Sequence, residues 1–511
     1  MNEKSRTSNV LKNSITGVLT QVSKIGLSFL VRFVFIRYLS QEYLGVSGLF
    51  SNILTILSLA ELGVGGAIEY SLYKPVADRD YRTIGALISL YRRVYLVIGC
   101  VIGGVGLLLI PLLPVLIRDA GDVSDLGVIY ALYLLNTIVS YFSAHKRSIF
   151  TADQRERVLS RYKIVFSFVL SISQCFILVL TRNFLLYLTM QLLCAIAENV
   201  WVSIQADRNY PFLKETKGEP IPAEQLKTIV QNVKALMIYK VGSTALDGSD
   251  NIILSACVGL SWVGQLSNYT LIISSVNTLV SQFVSAMVAS VGNYIARESG
   301  DTHEGLLHKT SFCTFCLFGS TAVCLMCLST PFIRLMFGED YVLNTGAVLV
   351  LVLNYYIYGM INPVWTFRST MGLFVHGKYR PLVSAVINIA VSIWLAGLIG
   401  PVGVLLGTTI TRVTTNVWFD PYIVYKHGLK RRPFGYYLRW VKYLAITAVS
   451  TAASLWIIEN LLPAPTSILW LVVHGVTCLL VFAALLVATC FRTEEFRYLA
   501  DKARAILGRK L

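Results

Sequence analysis

Four basic residues stand inside otherwise apolar stretches of this sequence: Lys24, Arg32, Lys240 and Arg412. The carboxylates of Glu61, Asp247 and Asp250 have comparable surroundings. A charge at the centre of a bilayer costs at least ~2.5–3.5 kcal/mol on insertion scales, so such residues face a cavity or a partner. Gln21, Lys24, Ser28 and Arg32 recur at spacings of three and four, which places them in one polar stripe along a helix. Lys240, Thr244, Asp247, Asp250 and Asn251 make a second stripe further along. With Glu61, the set holds four cations against three carboxylates. That balance suits an anionic cargo such as phosphates or acidic sugars. Asp247, Asp250 and Asn251 supply oxygen ligands for a coupling Na⁺ or a proton site, and no other cofactor is expected. The competing reading is a set of closed pairs, Lys24 with Glu61 or Arg412 with an aspartate, that lock helices together.

These residues need helices in lipid to hold them. The chain has 511 residues, of which 55% are hydrophobic and only 14% charged, with a mean hydropathy of +0.64. Soluble domains carry roughly 25% charge, so a string of them is excluded. Fourteen apolar stretches lie between residues 11 and 491, each long enough for the ~20 residues of one crossing. The expectation is an all-α polytopic membrane protein of about fourteen transmembrane helices. The first stretch covers 11–39, the second 45–70, the seventh 229–257 and the twelfth 402–425. Met1 to Asn13 is polar, so no secretory signal peptide is expected.

The net charge of +16 is distributed by side. Every second connection, with both tails, holds 36 Lys and Arg, whereas the opposite set holds only Arg37, Arg118, Arg182 and Arg334. By the positive-inside rule both termini are cytoplasmic. Nucleic-acid binding is then unnecessary as an explanation of the charge.

The sequence also repeats itself. Asn13 pairs with Asn232 and Gly45 with Gly264 at an offset of 219. Leu135-Asn136 pairs with Leu353-Asn354 at 218, and Asn199-Val200-Trp201 with Asn416-Val417-Trp418 at 217. Six helices per repeat is an even number, which predicts two lobes related by a pseudo-twofold axis along the membrane normal, with the substrate path between them. The expected division is an N-terminal lobe 1–207, a cytoplasmic linker 208–228 carrying Pro211, Pro220 and Pro222, a C-terminal lobe 229–427, and two further helices with a basic tail over 428–511.

Other patterns dissolve on inspection. Cys313 and Cys324 are separated by ~16 Å on one helix at 1.5 Å per residue, too far to share a zinc ion. Gly372 to Gly377-Lys378 has P-loop spacing, but Tyr379 replaces the Ser or Thr that would hold Mg²⁺, and no strand precedes it. His303-Glu304 with His308 misses the metalloprotease spacing by one residue. Tyr355, Tyr356, Tyr358 and Trp365 read as helix packing before sugar stacking. A membrane polymerase or glycosyltransferase needs a large outward loop. Here the outward connections are short, and their one acidic cluster is Asp119, Asp122 and Asp125.

Three stretches resemble a known family. They are Tyr43-Leu44-Gly45 through Glu61-Leu62-Gly63-Val64-Gly65, then Asn232-Val233-Lys234-Ala235 to Ser249-Asp250-Asn251-Ile252-Ile253. The third runs from Asn354 through Asn362-Pro363-Val364 and Gly372-Leu373-Phe374 to Tyr379-Arg380-Pro381-Leu382. The sequence resembles the Wzx-like O-antigen, capsule and teichoic-acid exporters of the MOP superfamily, in Gram-positive style. The resemblance implies a MATE-like fold of two six-helix lobes plus two helices, in the bacterial plasma membrane. It implies a non-enzymatic activity: an undecaprenyl-diphosphate-linked oligosaccharide is moved from the inner to the outer leaflet by alternating access. Lys24, Arg32 and Lys240 are the candidates that match the family's cavity cations by position, and Asp250, within the matched Ser-Asp-Asn stretch, is the best functional acid. Glu61 stands where the lipid II subgroup carries basic residues, which counts against lipid II. The implied partners are an anionic lipid-linked glycan, membrane lipids and the glycan polymerase or ligase machinery, with the chain itself a monomer. A multidrug or metabolite antiporter of the same fold is the alternative.

Overall fold

The computed structural model describes residues 3–61, 64–117, 123, 125–153, 155–215, 226–227, 229–231, 233, 237, 244, 248–297, 302–373, 376–377 and 379–507. Among these residues every regular element is a helix. The chain divides into two compact units, Met1–Gly264 with Pro381–Ala385, and Gln265–Arg380 with Val386–Leu511. Among the described residues eight helices are long and apolar enough to cross a membrane, or nine if a bent pair is one span.

The first unit contains α1 (Glu3–Tyr38), α2 (Gln41–Leu57), α3 (Val64–Asp78), α4 (Tyr81–Leu109), α5 (Leu113–Leu116) and α6 (Leu126–Phe142). It continues with α7 (Ala144–Ala152), α8 (Glu156–Thr181), α9 (Phe184–Asn209), α10 (Phe212–Glu215) and α11 (Asp250–Cys257). Polar side chains start two of its long helices. Asp80 accepts the Thr83 amide at 3.1 Å, and Asn183 accepts that of Leu186 at 3.1 Å, each meeting an otherwise orphaned donor of the first turn. The Thr83 hydroxyl and amide together hold the Asp80 carboxyl below the usual carboxylate range.

Two of the expected straight spans are broken. The second ends its α-helix at Leu57, turns through a 3₁₀ segment Ser58–Glu61, and restarts at Val64. The fourth bends by 46° at Ser143 between α6 and α7. Asn199 of α9 stitches that bend: it accepts from the Ser143 hydroxyl at 2.6 Å and donates to the Val139 carbonyl at 3.0 Å. Polar groups freed by a bend need such partners where no water can serve them.

The second unit contains most of α12 (Leu260–Arg297), then α13 (His303–Phe337), α14 (Thr345–Thr370), α15 (Arg380–Ile399), α16 (Pro401–Arg412) and α17 (Phe419–Ile423). It ends with α18 (Phe434–Leu461), α19 (Ile468–Cys490) and α20 (Glu494–Leu507). α13 and α14 form its centre, with 61% and 67% of their spans buried, against 22–28% for α15, α18 and α19. Pro363 removes the amide that would bond the Gly359 carbonyl inside α14. The adjacent Asn362 side chain donates to that carbonyl instead, at 3.1 Å. The twelfth expected span is two α-helical pieces interleaved with π-helix over Val413–Val417 and Val424–Leu429.

The repeat-paired glycines Gly45 and Gly264 meet within the first unit. A Cβ on Gly45 would sit 2.1 Å from the Leu260 carbonyl oxygen, and one on Gly264 2.5 Å from that of Gln41. Two backbones approach this closely only when neither carries a side chain at the crossing.

Candidate functional site

α1 packs against α8, and its aromatic end against α9. Lys24 is half-buried and lies in the field of Lys163 on α8 and Glu198 on α9. Glu198 is also the ion partner of Arg147, at 2.9 Å, and the same guanidinium nitrogen donates to Asn199 at 2.9 Å. Glu198 is thus paired with Arg147 and reaches Lys24 only through its field, as does the exposed Lys163, so three cations stand near one carboxylate. Arg32, two turns along α1, lies near the phenols of Tyr133 and Tyr187. Phe35 anchors that end of α1, edge-on to Phe184 and Tyr187 at 5.7 and 5.5 Å.

Glu61 is not the partner of Lys24. It closes the 3₁₀ break of the second span, where the Tyr95 hydroxyl donates to Oε1 at 2.6 Å. Tyr91 packs edge-on to Tyr95 at 4.5 Å, and the Tyr141 hydroxyl donates to Ser58 at 3.0 Å. A Cβ on Gly65 would lie 2.8 Å from the Tyr95 hydroxyl, so that glycine lets the cage close. The carboxylate expected deep inside a continuous helix thus sits at a helix break under a tyrosine.

Arg412 ends α16 immediately before the first π segment. It donates to the Asn354 carbonyl at 3.0 Å and lies over the Tyr358 ring at 5.8 Å. Asn354 is fixed by the Leu405 carbonyl and the Thr409 hydroxyl, both at 3.1 Å. Asp250 and Asn251 open α11, and the Asn251 amide points at α2, 3.7 Å from where a Gly48 Cβ would be. Lys240 and Asp247 lie outside the described residues, as do Asp119, Asp122 and Lys378.

The strongest ion network was missed in the sequence. Asp420 is fully buried and bridges Arg368 at 2.6 Å and Arg380 at 3.1 Å, and Arg368 also donates to the His376 carbonyl. It ties both ends of the 371–379 connection to α17 and so reads as a clamp. Glu198 meets the same criterion that selected Glu61, a lone carboxylate within an apolar stretch. Arg147 was hidden among the basic residues of a connection. The discarded patterns hold other roles. Gly372 and Gly377 are turn residues at φ +69° and +76°, and Glu304 binds Arg431 near His308. Tyr355 and Tyr356 are buried in packing, while Tyr358 is 48% exposed beside Arg412. Among the described residues no group of three or more His, Cys, Asp or Glu is placed to hold a metal ion.

No protein-family model matches the chain, and no curated protein does. Solved structures do. A lipid II flippase, MurJ, in an inward-closed conformation, superposes with a TM-score of 0.64 at 15% identity, over 94% of this chain and 100% of its own. An inward-facing multidrug resistance MATE family transporter of the MOP superfamily gives 0.57 at 13%, over 80% and 99%. A mutant of the Vibrio cholerae MATE transporter VcmN gives 0.51 at 13%, over 83% and 99%. The chain has the fold of these transporters, an all-helical, multi-pass membrane fold of the MOP and MATE kind.

Proposed function

We propose that this chain is a bacterial plasma-membrane flippase that moves an undecaprenyl-diphosphate-linked oligosaccharide from the inner to the outer leaflet for cell-surface polysaccharide export. The observation that carries this reading is the gathering of half-buried Lys24 and Arg147, with the exposed Lys163 nearby, around the single carboxylate of Glu198, which pairs with Arg147. Cations in excess over carboxylates recognise a diphosphate through charge-assisted hydrogen bonds. Lys24, Arg32, Lys240 and Arg412 meet the headgroup while the prenyl tail stays in lipid. The lobes alternate access to the two sides, and both termini remain cytoplasmic. Asp247, Asp250 and Asn251 serve Na⁺ or H⁺ coupling, and Glu61 lines the headgroup path. The chain works as a monomer that hands its product to polymerase or ligase machinery. The similarity to MurJ along nearly its whole length supports a lipid-linked cargo over a soluble drug.

Deleting the gene tests the cargo. Mass spectrometry of the deletion strain should find one lipid-linked oligosaccharide accumulating, protected from reagents added outside the cell. An unchanged lipid-linked pool, with altered resistance to cationic drugs, would instead support the antiporter.

A further inference from the structure

The bend at Ser143 leaves a cavity of ≈ 500 Å³ wholly inside the first unit, between α4, the α6–α7 bend and α9. Its volume lies in the range of small-molecule sites, ~300–1,000 Å³. Its polar wall comprises Arg92 and Ser89 of α4, His145 and Lys146 of α7, and Ser203 and Asp207 of α9. Lys146 reaches Asp207 at 2.9 Å, which leaves one carboxylate against two cations. Arg92 enters no hydrogen bond or ion pair among the described residues. His145 is 7% exposed, and its ring is engaged only loosely, by the Phe142 backbone. Apart from Tyr141, the remaining wall is apolar.

We infer that this cavity is a binding site for a phosphate-bearing headgroup, separate from the Lys24 cluster. Arg92 supplies a planar fork of donors that matches a phosphate, and Lys146 adds a point charge. The His145 ring and the two serine hydroxyls complete a set of neutral partners for the remaining oxygens. A single phosphate would not fill the space, so the bound group carries a further phosphate or a small polar body. Two sources share this chemistry: an anionic phospholipid, and a soluble diphosphate. In the proposed orientation the site opens toward the cytoplasm, where both are at hand.

The test uses the purified full chain. Inorganic pyrophosphate is titrated by calorimetry in detergent, and phosphatidylglycerol binding is followed by native mass spectrometry. At least one probe binds the wild type. Arg92→Gln weakens that binding by about tenfold or more, the loss of one charge-assisted contact. Ser89→Phe, which fills the cavity and leaves its charges in place, weakens it equally. Arg93→Gln, on the neighbouring residue that does not line the cavity, binds as the wild type does. Lipid binding that pyrophosphate cannot displace assigns the site to a membrane phospholipid, and displacement assigns it to a soluble diphosphate. Binding of neither probe, or equal binding by Arg92→Gln and Arg93→Gln, overturns the inference.

Discussion

Two carboxylates in this protein do opposite work, and their surroundings separate them. Asp420 has no exposure and answers two guanidiniums, so removing it strands both. Breaking such a buried network costs about 3–5 kcal/mol, and Asp420→Ala should lower the thermal stability of the purified chain accordingly. An unchanged melting temperature would mean that the arginines find other partners. Glu61 is half-buried, takes one strong bond from Tyr95, and sits where the helix stops. Tyr95→Phe removes that bond and leaves the ring packing. It should slow transport several-fold with normal expression, and transport at the wild-type rate would make the Glu61 cage purely structural. Sequence reading finds Glu61 because a lone carboxylate among apolar residues is conspicuous. It passes over Asp420 because its partners Arg368 and Arg380 lie 52 and 40 positions away, an approach that only packing creates.

At the scale of elements, the apolar periodicity locates helices but says little about where they break. The glycines after Glu61 hint at a weak point. The bend at Ser143 carries no glycine or proline, and its stitching by Asn199 is a tertiary event. The π segments after Arg412 are equally silent in sequence. The pairing of Gly45 with Gly264, by contrast, is legible as a repeat and becomes a crossing of two backbones. Gly264→Val pushes a side chain into the Gln41 carbonyl and should abolish transport or folding, while Gly66→Val, with nothing within 4 Å of its Cβ position, should be tolerated. Equal behaviour of the two variants, read by expression and transport, would contradict a close crossing. Asn362→Ala should cost roughly 1–3 kcal/mol, because the Gly359 carbonyl left by Pro363 then lacks a partner. Thermal unfolding of the purified variant measures this.

At the scale of the whole molecule, composition suffices for the class, because scarce charge means spans, and charge alternation predicts their orientation. The orientation is testable by thiol labelling in a cysteine-free background. Asn2→Cys and Arg509→Cys should react with an impermeant reagent only after lysis, and Asn183→Cys in intact cells; the reverse pattern would invert the protein. Cargo identity is not written in the pattern of spans, because the same fold serves flippases and drug transporters among its structural neighbours. The most direct test of the account is a leaflet assay in proteoliposomes carrying a lipid-linked oligosaccharide diphosphate. Wild-type protein should move the headgroup across the bilayer, and Lys24→Ala combined with Arg32→Ala should cut the initial rate by about tenfold or more, a barrier change of ~1.4 kcal/mol or greater. Transport by that variant at the wild-type rate and normal expression would contradict the assignment of the α1 stripe to the cargo.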